Sequence, residues 1–124
     1  TAYRRQRQMC IRDRLYSPLQ GKTLKDIYLD EPDAFGKHLP ILTDFIRTLH
    51  RRGIYFRSLH LGNIVLTPEG SLGLIDIADL SVQRRPLSKA KARRNLVHFA
   101  RLLENLGLAE QFPLATLTSA VLED

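Results

Sequence analysis

Sulfur is nearly absent from this 124-residue chain, which has one cysteine, one methionine and no tryptophan. Met9 and Cys10 both lie among the first fourteen residues. A disulfide framework and a cysteine zinc site are therefore excluded, and beyond Arg14 there is no thiol nucleophile. Long apolar runs are missing too. Nothing approaches the roughly 20 consecutive apolar residues that span a bilayer, so no transmembrane segment is expected. No internal repeat or low-complexity tract appears. Acidic residues are outnumbered, thirteen against nineteen Lys and Arg, and the net charge of +6 by itself invites a nucleic-acid or anionic-lipid reading.

The location of that charge argues otherwise. Arg4, Arg5, Arg7, Arg12 and Arg14 are crowded into a head that holds a single acid, Asp13. The run from Arg4 to Asp13 resembles one reading frame of a transposase-type sequencing-library adapter. That resemblance implies that residues 1–14 are a translated scar fused to a truncated gene, to be set aside in fold reasoning. The remainder, residues 15–124, carries a net charge of about +2 and has the length of one partial domain. The alternative is a real basic amphipathic arm, which would favour anionic surfaces. No nucleic-acid partner is expected, because no aromatic stacking pattern accompanies the remaining cations.

Residues 15–20 form a mixed stretch broken by Pro18. Thr23, Leu24, Asp26, Ile27 and Leu29 then predict a short helix capped by Thr23, with Asp26 in its first turn. Residues 30–33, with Pro32, are a breaker. From Asp33 or Pro40 to Arg52, the residues Ile41, Leu42, Phe45, Ile46 and Leu49 recur at helical spacing. Arg51 and Arg52 suit the negative end of that helix, and Gly53 suits a left-handed cap. Residues 64–66 and 72–75 are short apolar runs separated by Thr67-Pro68-Glu69-Gly70, which predict an antiparallel hairpin. Helical spacing returns over residues 88–106 and again over 114–122. The expected class is α+β, mainly helical, with one small β-hairpin.

Chemistry concentrates between the long helix and the hairpin. Helix, Leu49-His50 and Gly53, then the loop from Gly53 to Asn63, the hairpin and Asp76 together resemble the catalytic loop and metal-binding segment of the protein-kinase-like fold. That family places an Asn at the end of a His-Arg-Asp loop and an Asp after the hairpin, both holding magnesium on nucleotide phosphates. Asn63 and Asp76 occupy those positions. Leu59-His60-Leu61-Gly62-Asn63 is similar to the Asp-Leu-His-x-Gly-Asn of small-molecule and lipopolysaccharide kinases. With the basic segment from Arg84 to Arg94, the nearest resemblance is to bacterial lipopolysaccharide core (Kdo/heptose) kinases, which include the toluene tolerance proteins.

The resemblance spans residues 15 to about 106 and implies a kinase-like C-terminal lobe without its nucleotide-binding lobe. It implies Mg2+ and ATP as cofactors of a full-length parent, with neither bound by this piece alone. A lipid-linked sugar or lipopolysaccharide core acceptor is implied, at a cytoplasmic location with peripheral contact to the inner membrane. The pattern also departs from the family: His-Arg-Asp is here Phe56-Arg57-Ser58. The carboxylate that would accept the acceptor's proton is missing, and a serine hydroxyl is not ionised near neutral pH. A binding-only pseudokinase is therefore the competing expectation. His60, two residues on, would either supply a base or support the loop.

Plainer roles stand beside these. Asn63 reads equally as a turn asparagine bonding its own loop, Asp76 as an ion-pair partner of Arg57, and Asp79 as a loop-end carboxylate. His38, His50 and His98 read as packing or surface residues, since none has a partner at metal-ligand spacing. Arg84, Arg85, Lys89, Lys91, Arg93 and Arg94 read either as contacts for phosphorylated sugars or as a solvated helix face.

Overall fold

Thr23 is where the first strand becomes the first helix. The computed structural model describes residues 21–107 and 112–123. The head and residues 15–20 lie outside that range. Strand β1 (Lys22–Thr23) leads into helix α1 (Leu24–Asp30), and the Thr23 hydroxyl accepts the Asp26 N–H at 3.1 Å, as the spacing predicts. Leu24 and Tyr28, one turn apart, are its buried residues. The breaker is itself ordered as a 3₁₀ segment, Pro32–His38, which buries Phe35 before helix α2 (Leu39–Arg51) starts. Pro40 falls in the first turn of α2, where its missing N–H costs no helical bond.

Helix α2 buries Leu42, Ile46, Leu49 and His50, and it stops where the Gly53 N–H returns to the His50 carbonyl at 3.0 Å. Gly53 has φ +76°, and a Cβ there would lie 2.3 Å from the Gln83 carbonyl and 2.5 Å from that of Arg85. The position therefore needs glycine both for its turn and for a close backbone approach.

Among the described residues five short strands form two antiparallel sheets. Strands β3 (Ile64–Leu66) and β4 (Leu72–Leu74) form the expected hairpin, paired Ile64 to Leu74 and Leu66 to Leu72. The structure adds β1 along the edge of β3, with Thr23 opposite Val65. It also adds a second ladder, between β2 (Ile54–Phe56) and β5 (Leu80–Val82). Helix α3 (Lys89–Asn105) begins at Ser88, whose hydroxyl accepts the Lys91 N–H at 3.2 Å. Helix α4 (Leu114–Leu122) packs on α2 and α3. The fold is α+β.

Leu24, Phe35, Leu42, Ile46, Phe56, Leu59 and Phe99 are at most 2% exposed and define one continuous core. Phe112 joins it through edge and tilted ring contacts with Tyr28, Phe35 and Phe99 at centroid distances of 5.7 to 5.8 Å. The Tyr28 hydroxyl is buried with no hydrogen-bond partner among the described residues. Within the same range no helix is long and apolar enough to cross a membrane.

Candidate functional site

The hairpin register decides which residues meet. Ile64 faces Leu74, so the residues just outside that pair are Asn63 and Ile75, and the Ile75 N–H donates to the Asn63 carbonyl at 3.0 Å. Asp76 follows immediately. Residues thirteen apart in sequence are thus brought to one end of the hairpin, as the strand-turn-strand reading requires. Asp76 is exposed and has φ +54°, the single positive φ outside glycine among the described residues. Such backbone is unfavourable for an L-residue and clusters at functional sites. Asp76 forms no ion pair with Arg57, which removes one of its plainer roles.

Asn63 is 8% exposed, and its side-chain amide donates to the Ser58 carbonyl at 3.0 Å. That bond pins the loop and leaves the side-chain carbonyl oxygen without a partner among the described residues. The site thus presents one amide oxygen and one carboxylate at the same hairpin end.

His60 folds back on its own loop. Its Nδ1 accepts the Gly62 N–H at 2.9 Å and caps the 3₁₀ turn Leu61–Asn63. A Cβ on residue 62 would lie 2.9 Å from the imidazole Cε1, so glycine is what allows the ring to lie there. Burial, and then the Lys25 charge, lower the His60 pKa, while the Asp76 carboxylate pulls it upward. With Nδ1 occupied as an acceptor, the neutral ring carries its proton on Nε2 and has no lone pair to offer as a base. His60 thereby holds the turn that leads into Asn63.

Ser58 finds a carboxylate from elsewhere. Phe56 pairs with Leu80 in the β2–β5 ladder, so Arg57 and Asp79 are the next residues outward, and the Ser58 hydroxyl donates to Asp79 Oδ2 at 2.5 Å. Arg57 is exposed. Burial lowers the His98 pKa, helped by Arg57, Arg101 and Arg94 and opposed by Asp79, so cations from the loop and from α3 converge beside this pair.

A buried amide supports the loop from beneath. Asn95 on α3 is 1% exposed, accepts from His50 Nε2 at 2.9 Å and donates to the Phe56 carbonyl at 2.8 Å. It joins the end of α2, the root of the loop and α3 in one network. Arg84, Arg85, Lys89, Lys91, Arg93 and Arg94 are all exposed. Lys91 reaches Gln83 Oε1 at 2.8 Å, and the surface they form is solvated.

Among the described residues no group of three or more His, Cys, Asp or Glu could enclose a metal ion. Two oxygen donors still fit magnesium, which commonly takes one or two protein ligands and completes its shell with water and substrate phosphates. A separate cavity of about 410 Å³ lies between α2 and the hairpin turn, bounded by Ile41, Phe45, Arg52 and Leu72 among others, and holds none of these groups.

Sequence reasoning singled out Ser58, Arg57, His60, Asn63 and Asp76. It missed Asn95, read Asp79 only as a loop-end carboxylate, and did not consider Lys25. Asn95 left a trace, since it is a polar residue on the buried face otherwise formed by Ala92, Leu96, Phe99 and Leu103. Comparison with protein-family profiles and with curated proteins gives no match to this chain.

Proposed function

We propose that residues 15–124 are the C-terminal lobe of a kinase-like phosphotransferase, whose full-length parent moves a phosphoryl group from Mg-ATP to a sugar hydroxyl. The observation that carries this reading is the juxtaposition of Asn63 and Asp76 at one hairpin end, one with a free amide oxygen and the other held in left-handed backbone. Phosphoryl transfer asks a protein mainly to position reactants and neutralise charge. Bound magnesium supplies that neutralisation. Asn63 and Asp76 hold it, His60 shapes the loop between them, and Lys25 adds a cation beside His60. An acceptor bearing phosphates, such as a lipid-linked core sugar, fits the cations Arg57, Arg94 and Arg101 around His98.

The test is thermal unfolding of the full-length parent, freed of residues 1–14, with and without Mg-ATP. Stabilisation that disappears in Asp76→Ala supports a working nucleotide and metal site. An unchanged melting temperature counts against it. The absence of a carboxylate at Ser58 favours a second reading, a pseudokinase that binds a partner without transferring phosphate. That reading predicts partner capture without turnover.

A further inference from the structure

We propose that Asp79 is the proton-accepting carboxylate of this site, doing from the β5 side the work for which the loop residue Ser58 is chemically unsuited. This rests on the phosphotransfer reading above. The β2–β5 register sets Arg57 and Asp79 just beyond the Phe56–Leu80 pair, and Ser58 closes the gap by donating its hydroxyl to Asp79 Oδ2. The contact therefore sits at the end of a strand ladder that fixes where Ser58 and Asp79 meet.

Asp79 is exposed and its Oδ1 has no partner among the described residues, so one carboxylate oxygen is held while the other faces solvent, where an acceptor would arrive. The same serine is bonded on its other side, where its carbonyl accepts from the Asn63 amide at 3.0 Å. A short chain of bonds, Asp79 to Ser58 to Asn63, thus fixes the carboxylate relative to the residues assigned to the metal. Ser58 is a positioning residue in this arrangement and Asp79 the base.

Asp79 takes the proton of the acceptor hydroxyl as that oxygen bonds to the terminal phosphorus of the nucleotide and the bond from phosphorus to the diphosphate oxygen breaks. The diphosphate leaves with the electron pair, and Asp79 later releases the proton to water. Base assistance of this kind is worth roughly a hundredfold to ten-thousandfold in rate.

The experiment compares the full-length parent with Asp79→Asn, Asp76→Ala and the double variant Ser58→Asp/Asp79→Asn. It measures Mg-ATP turnover, with water as the acceptor, and stabilisation by Mg-ATP. The expected result is a loss of about a hundredfold or more in Asp79→Asn with nucleotide stabilisation retained, while Asp76→Ala loses both. Moving the carboxylate to position 58 in the double variant restores at least about tenfold. Full activity in Asp79→Asn overturns the proposal, as does a double variant no faster than that single one. A parent that is stabilised by nucleotide but never turns it over also overturns it, in favour of the pseudokinase. If neither stabilisation nor turnover occurs, the phosphotransfer reading falls with it.

Discussion

Asn95 donates to the Phe56 carbonyl at 2.8 Å while accepting from His50 at 2.9 Å, so one buried amide carries both the root of the loop that leads to Asn63 and the end of the long helix. Replacing it with alanine leaves the His50 Nε2–H buried without its partner, while the Phe56 carbonyl keeps only the Leu59 N–H at 3.1 Å. An orphaned buried group costs about 1–3 kcal/mol, so Asn95→Ala is expected to lose about 2 kcal/mol, read as a fall in urea midpoint at unchanged slope. Wild-type stability in this variant would mean that the network holds nothing together.

Acid should weaken the fold through His50. Burial lowers its pKa from the ordinary 6.5, outweighing the upward pull of the Asn95 bond. The unfolded chain then binds more protons than the folded one, so the contribution is complete above about pH 6.5 and is lost as pH falls through that value toward the lowered one. His60 has the same sign. Melting temperature is therefore predicted to drop between about pH 7 and pH 5, and His50→Gln to flatten part of that slope. A slope of the opposite sign would contradict the burial of these rings.

His60 reports on its neighbours. Lys25 lowers its pKa and Asp76 raises it, so Lys25→Met is predicted to raise the value and Asp76→Asn to lower it. Imidazole NMR titration reads both directly. Two shifts of the same sign would show that the three residues do not converge.

The Tyr28 hydroxyl is buried beside Phe35 and Phe112 without a partner among the described residues. Tyr28→Phe keeps the ring contacts and removes that oxygen. It is expected to stabilise the protein by about 1 kcal/mol, a rise of roughly 4–8 °C in melting temperature for a domain of this size. A loss of stability would reveal a partner for the hydroxyl.

The helices and the hairpin were legible in the sequence because their signals are local. Thr23 caps where its spacing says it should, Gly53 ends α2, Ser88 opens α3, and the Thr67 to Gly70 turn sets the register that joins Asn63 to Asp76. What stayed hidden depends on pairings between distant residues. The β2–β5 ladder joins two three-residue strands too short for a period-2 pattern to stand out, and the Ser58–Asp79 contact follows from that ladder alone. The 3₁₀ segment Pro32–His38 was masked by its breaker composition, and only Phe35 anchors it to the core. Asn95 carries no local signal beyond its place on the buried face of α3, because its partner, the Phe56 carbonyl, is distant in sequence.

The most direct test of the central claim replaces magnesium with Mn2+, which takes the same oxygen ligands, and follows backbone amide signals of the full-length parent in the presence of ATP. The account predicts that the signals of Asn63, Ile64, Ile75 and Asp76 broaden first, and that Asp76→Ala abolishes the effect. Broadening centred on other residues, or spread evenly over the surface, would contradict a metal site at this end of the hairpin.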